Sequence, residues 1–298
     1  MEKYTHYLSP DSIAIFLFHG VIPTHNFSIR NYLRKHILAS ELEDFLQALQ
    51  KAGGQALSMD ECLESLKSGT VPKNSFVITF DDGFLNNLTC AVPILDRFQV
   101  PSIFYITEDF VRLGLSSWTD QLEAAFESVA TVHLTFPFSV DATTPEDKVA
   151  VLNELRRLVK HTPEIDPYEF TENILAAIDC PKPPLSDPFL DKKLGISELR
   201  QLIANPLFTL GGHGKTHKIL SFLTKDALQH EIGSSVRFLQ ECSETPVHYA
   251  YPDGLPHCHS EAVVTELKKN VFQSGVTAIE GVNRPGDSLF DLKRILVA

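Results

Sequence analysis

The chain has no CxxC pair, no run of about 18 apolar residues and no excess of basic charge. Each absence excludes something. Without an apolar run of that length, no segment is expected to span a bilayer. The polar start MEKYTHYLSPDS lacks the apolar stretch of a secretory signal. Cys62, Cys90, Cys180, Cys242 and Cys258 are scattered and odd in number. They read as free thiols in a reducing compartment, so a cytoplasmic location is expected and a disulfide framework is not. With 26 basic against 38 acidic side chains, the formal net charge is −12. Nucleic acid and anionic membrane surfaces are poor partners for such a chain. No internal repeat or low-complexity tract is evident.

What is present is apolar material enough for one large domain or two small ones, 43% of 298 residues. Short apolar runs alternate with helical patterns. The runs are Ile13–Phe18, Phe76–Phe80, SIFYIT, FTLGG, VHYAYP, VFQSGV and LKRILV. Between them lie SELEDFLQALQKAGG, with Ser40 as a cap and Gly53-Gly54 as a stop, and NNLTCAVPILDRFQV, which reads as helix despite Pro93. Further helices are expected around Lys225–Gln240 and Ser260–Lys269. Continuous apolar strands separated by helices indicate a parallel sheet covered on both faces, that is, an α/β fold. Residues 114–195 break the rhythm with helical stretches, a strand pair at TVHLTFPFSV and the proline-rich CPKPPLSDP. They read as an insertion or lid on a single catalytic domain spanning residues 1–298.

Several strand-like runs end in a polar group. Ile13–Phe18 ends at His19-Gly20, Phe76–Phe80 at Asp81-Asp82-Gly83, FTLGG at His213, and VHYAYP at Asp253-Gly254. In parallel α/β architectures, sites gather at the carboxyl ends of strands. Adjacent strand residues face opposite ways, so Asp81 and Asp82 can serve one site only where the strand stops, and Gly83 marks such a stop. HGKTH spaces His213 and His217 four apart, which on a helical turn puts both imidazoles on one face. Two histidines and a carboxylate suit a catalytic metal ion with open positions. One aspartate can then be a ligand while the other stays free as a base. HCH (257–259) follows a Gly-Leu-Pro turn and reads as a surface loop. Cys90 and Cys258 have no base partner evident and receive no nucleophilic role.

With TFDDG (79–83), HGKTH (213–217) and YAYPDG (249–254) in this order, the chain resembles the polysaccharide deacetylase family, the NodB-homology or carbohydrate esterase family 4 domain. The match runs from about Ile13 to Val297, excluding much of 114–195. The resemblance implies a deformed (β/α) barrel with fewer than eight strands and a helical insertion. It also implies metal-dependent removal of acetyl groups from N-acetylated sugars. By position, Asp81 is the catalytic base; Asp82, His213 and His217 hold one divalent metal ion, zinc first, with cobalt, nickel or iron tolerated; and the backbone N–H of Asp253 faces the oxyanion. The chain departs from the family pattern at Gly214, where Ser or Thr is usual, at Ala250 and Asp253, where Arg and an aromatic are usual, and in lacking a C-terminal Leu-x-His. It looks like a bacterial subgroup with an early strand-His-Gly segment, WTDQLE and a C-terminal Arg-Ile pair, associated with surface polysaccharide synthesis. That likeness points to His19 as the general acid. It leaves Arg294, at the end of the last strand-like run, to hold Asp81 in place of the missing arginine. Trp118, Asn86 and Tyr251 are the expected substrate contacts. Hydrolysis of another non-peptide amide or of a carbohydrate ester, and glycan binding without turnover, remain open beside deacetylation. Oligomeric state is not legible.

Overall fold

The computed structural model describes residues 2–242 and 247–298. Strands in chain order are β1 (Ala14–Phe18), β2 (Gly20–Ile22), β3 (His36–Leu38), β4 (Gln55–Ala56), β5 (Ser75–Phe80), β6 (Ser102–Ile106), β7 (Val132–Leu134), β8 (Val140–Ala142), β9 (Phe208–Gly212), β10 (His248–Ala250), β11 (Ser274–Val276) and β12 (Ile295–Leu296). Seven of them follow one another in the order β11-β10-β9-β6-β5-β1-β12, all parallel. Two-residue β4 pairs with the amino end of β5 on the edge that β6 takes over further along. The two ends of the sheet meet where Val276 bridges Leu292 and the Thr277 N–H donates to the Leu292 carbonyl at 2.8 Å. The result is the deformed barrel expected of this chain, with seven strands forming the wall.

The apolar runs are continuous because both faces are buried. Phe16, Phe18, Ile78, Phe80 and Phe104 pack outward against helices such as Ala39–Lys51 and Lys225–Cys242. Phe18, Phe80 and Phe104 stack across three neighbouring strands, with ring centroids 5.2 and 5.0 Å apart. Ile13, Ile15, Val77, Ile103 and Tyr105 face the barrel interior.

Two local expectations are corrected. Ser40 lies inside helix Ala39–Lys51 and does not cap it; the Glu41 carboxylate accepts the Leu38 N–H at 2.8 Å instead. NNLTCAVPILDRFQV is interrupted: Asn87–Ala91 is a π-turn and the α-helix spans Val92–Phe98. Pro93 has no N–H to donate, so it fits only in a first turn, and the wider turn lies ahead of it.

The 114–195 segment has its own apolar cluster, built from helices Trp118–Ser128, Pro145–His161 and Pro167–Ala177 and the antiparallel pair β7–β8. Ile29 of the barrel side joins that cluster. Helix Trp118–Ser128 grips the 28–31 segment through carboxylates. Glu127 accepts the Ser28 and Arg30 N–H groups at 3.0 and 2.9 Å, and Glu123 accepts that of Asn31 at 2.8 Å. Among the described residues, no helix is long and apolar enough to cross a membrane.

Candidate active site

β5 stops where the two aspartates begin. The Asp81 N–H still reaches the Phe18 carbonyl at 2.9 Å, but Asp82 and Gly83 both adopt φ +74°. The left-handed turn bends the chain so that both carboxylates enter one cavity. For an aspartate this conformation is uncommon and costs of order 1–3 kcal/mol, a strain that concentrates at functional sites. His217 and Asp253, each at φ +60°, share it.

HGKTH is a loop, not the helical turn its spacing suggests. His213 directly follows β9, Gly214 has φ +81°, and the chain returns so that the two imidazole centroids lie 4.8 Å apart. That conformation suits glycine; a Cβ there would also meet Glu231 Oε1 at 2.9 Å. Asp82 Oδ1 lies 3.5 Å from His213 Nε2 and 3.4 Å from His217 Nε2, and among the described residues it has no hydrogen-bond partner. His213 Nδ1 is 2.8 Å from the Ala250 carbonyl. It can only donate there, which leaves the Nε2 lone pair facing Asp82. Two imidazole nitrogens and one orphaned carboxylate oxygen, all within 4.8 Å of one another, fit a divalent ion. Among the described residues this is the one such group. Burial disfavours a charged His213, but Asp81, Asp82 and the Ala250 carbonyl outweigh it and raise its pKa above the ordinary value. Burial pushes His217 down to about 4.

Asp81 faces Arg294. The guanidinium donates from Nη1 to Oδ1 at 2.8 Å and from Nη2 to Oδ2 at 2.7 Å. It also donates from Nε to the Thr277 carbonyl at 2.6 Å. Arg294 does not end the last strand; it precedes β12, and its side chain, 1% exposed, lies in the barrel interior over Tyr105. Burial alone would raise the Asp81 pKa, but Arg294 and then His213 lower it, so the carboxylate stays ionised.

His19 and Asp253 complete the walls of a cavity of about 280 Å³ that also exposes Asp81, Asp82, His213 and Trp118. The carboxylates of Asp82 and Asp81 favour a charged His19, yet burial is larger and pushes it down to about 4. Its Nδ1 is buried and has no hydrogen-bond partner among the described residues. Asp253 pairs with Lys160. Burial would raise its pKa, but Lys160 and His217 hold it at about 2, so its carboxyl is no proton donor. Trp118, 3% exposed, also borders a second cavity of about 200 Å³ that shares His217 and Asp253 with the first. It both anchors the insertion core and faces the site.

Two expected substrate contacts are otherwise employed. Asn86 is a buried brace: its Nδ2 donates to the Phe189 carbonyl at 2.7 Å and faces His36 Nδ1 at 2.9 Å, and its Oδ1 accepts the Val21 N–H at 3.2 Å. Tyr251 borders the cavity, but its hydroxyl is committed to the Phe290 carbonyl at 2.8 Å and its ring stacks on His259. HCH is a packed loop, with Cys258 fully buried and His257 Nε2 2.7 Å from the Lys160 carbonyl.

Lys35, Lys160 and Lys193 carry no motif and are found only through the fold. Lys35 Nζ lies 2.8 Å from Asp82 Oδ2 and 3.2 Å from Asp120 Oδ1. Lys193, at the end of the insertion, lies 3.4 Å from Asp120 Oδ2; burial pushes its ammonium down to about 8 although Asp120 opposes this.

No family model matches the chain, and no curated protein matches it either. Solved structures do. IcaB from Ammonifex degensii superposes with a TM-score of 0.64 over 98% of this chain and 94% of its own, at 17% identity. The Streptococcus pyogenes deacetylase PplD, solved in complex with acetate, gives 0.61 over 97% and 93%, at 15% identity. A polysaccharide deacetylase from Bacillus cereus gives 0.59 over 96% of this chain and 64% of its own, at 16% identity. The chain therefore has the polysaccharide deacetylase fold, the NodB-type barrel that its three motifs lead one to expect.

Proposed function

We propose that the protein is a metal-dependent hydrolase that removes an acetyl group from an N-acetylated sugar of a surface polysaccharide or its precursor. The observation that carries this reading is the orphaned Asp82 Oδ1 facing two imidazole Nε2 atoms, with an ionised Asp81 held apart from them by Arg294. Glycan binding alone needs no base beside a metal site. Zinc is the first choice for this donor set, and cobalt, nickel and iron fit it as well. Five unpaired cysteines go with a reducing compartment, and a cytoplasmic location belongs to the same proposal.

Asp82, His213 and His217 would hold the ion. When bound, a divalent cation polarises an amide carbonyl and lowers the pKa of water in its reach. Asp81 keeps a free lone pair on each oxygen despite the guanidinium, so it can take the proton of the attacking water. By the resemblance of YAYPDG, the Asp253 N–H would be the donor to the charge developing on the substrate oxygen, and such a fixed donor is typically worth roughly 3–4 kcal/mol. The leaving amine needs a proton, and His19 is the candidate donor. With a pKa pushed to about 4 it is neutral in the free enzyme at pH 7. The proton it gives to the amine would be the one Asp81 takes from the attacking water, passed on as negative charge developing beside His19 favours its protonated form.

Acetate release from a panel of N-acetylated sugars, after metal removal and after adding back zinc or cobalt, tests the proposal. Metal-dependent release supports it; a metal-loaded protein that releases no acetate from any of them overturns it. His19→Ala is expected to fold and bind metal like the parent while losing roughly 10²–10⁴-fold in turnover of acetamido sugars. On an acetyl ester with a good leaving group, which needs little protonation, the loss is expected to be far smaller. Parent-like rates on both substrates would remove His19 from the acid role.

A further inference from the structure

The two oxygens of Asp82 are in different hands. Oδ1 faces the two imidazoles, while Oδ2 is held by the Lys35 ammonium at 2.8 Å. We infer that Lys35 is a positioning residue of the candidate metal centre, holding Asp82 so that a single carboxylate oxygen is offered between His213 and His217. The inference rests on the metal-dependent reading above and adds to it a residue that no motif marks.

Lys35 is itself held in place. Its carbonyl accepts the Gly20 N–H at 3.3 Å. The neighbouring His36 is clamped to Asn31: its N–H donates to Asn31 Oδ1 at 2.7 Å, and Asn31 Nδ2 donates to its carbonyl at 2.8 Å. Gly20 has to be glycine, since a Cβ there would lie 1.9 Å from His36 Nδ1. The ammonium is also anchored from the insertion by Asp120, which in turn pairs with the buried Lys193. Beneath both ammonium groups lies Phe84, two residues beyond Asp82, with its ring centre 4.8 Å from Lys35 Nζ and 3.2 Å from Lys193 Nζ.

Two consequences follow from this chain of charges. Lys35 occupies the oxygen that faces away from the histidines, so an ion can enter without displacing it. Asp82 is thereby kept from binding through both oxygens, which leaves room on the ion for water and substrate. Moreover, Asp81, Asp82 and Asp120 are already balanced by Arg294, Lys35 and Lys193 before any ion arrives. The fixed cation beside Asp82 therefore weakens binding of a divalent ion.

The test measures zinc affinity by calorimetry and the visible spectrum of the cobalt-loaded protein. Lys35→Met is expected to bind zinc roughly tenfold or more tightly, because a repelling unit charge is gone. Its cobalt spectrum should weaken as Asp82 engages through both oxygens and the ion gains a ligand. Lys35→Arg should restore parent-like affinity and spectrum. A purely structural lysine predicts weaker zinc binding with an unchanged spectrum, and that result overturns the inference, as does unchanged affinity. If Lys35→Met does not fold, side-chain nitrogen NMR of the parent decides: a Lys35 ammonium still hydrogen-bonded after zinc is added supports the inference, and one released by zinc overturns it. A parent that binds neither zinc nor cobalt sinks the metal-dependent reading along with it. A parent that binds both with no change in Lys35→Met sinks the role of Lys35 alone.

Discussion

Asp81→Asn is expected to keep its metal and lose roughly 10²–10⁴-fold in turnover, whereas Asp82→Asn is expected to lose the metal itself. The two carboxylates are adjacent in sequence but differ in partners. Asp82 Oδ1 lies within 3.5 Å of both imidazole Nε2 atoms, and it is the anionic member of the candidate ligand set. Asp81 Oδ2 lies 3.9 Å from His213 Nε2, and both its oxygens are turned to Arg294. An asparagine at 82 offers a neutral amide oxygen beside Lys35, with nothing to offset an added divalent charge. An asparagine at 81 retains the shape but has no basic oxygen for a water proton, and its amide nitrogen would meet the guanidinium donor to donor. Metal content after dialysis and steady-state turnover, measured on both variants, check the division. Equal metal loss in the two would end it.

Much of this was legible because burial and chemistry leave marks in sequence. The apolar runs ending in His19, Asp81-Asp82, His213 and Asp253 became strand ends on one side of the barrel, and all these residues reached one cavity. The means were less legible. His213 and His217 meet through a loop with two left-handed residues, a conformation that four-residue spacing does not encode. Asn86 follows the motif closely but is consumed by His36, Val21 and Phe189, partners up to 103 residues away in sequence. Lys35 and Lys193 were silent for the same reason. A lysine reads as solvated surface unless the chain around it is known, and here the fold draws both side chains onto Asp120, Lys35 partly covered and Lys193 nearly closed off from water.

Arg294→Met is expected to cost about 3–5 kcal/mol of stability at pH 7, the typical result of removing one partner from a buried ion pair. The side chains of Arg294 and Asp81 are 1% and 4% exposed, so the remaining carboxylate would have little water to replace the guanidinium. Its pKa, now held below the ordinary value, would rise, because burial raises it and the largest opposing charge is gone. The sign of the pH dependence follows. In the parent, the Asp81–Arg294 contribution is fully present above the unfolded carboxyl value of about 3.9 and is lost as pH falls through the depressed folded value. In the variant, Asp81 is protonated at higher pH and escapes the cost of a buried charge. The stability gap between the two proteins should therefore be widest near neutrality and narrow as the solution is acidified. The acidic limb of kcat/KM should move to higher pH in the variant, since the base must be ionised to act. Urea unfolding at a series of pH values, together with Asp81→Asn and the double variant, separates this from lost packing. If the two substitutions cost the same whether or not the other is present, Arg294 does not act through Asp81.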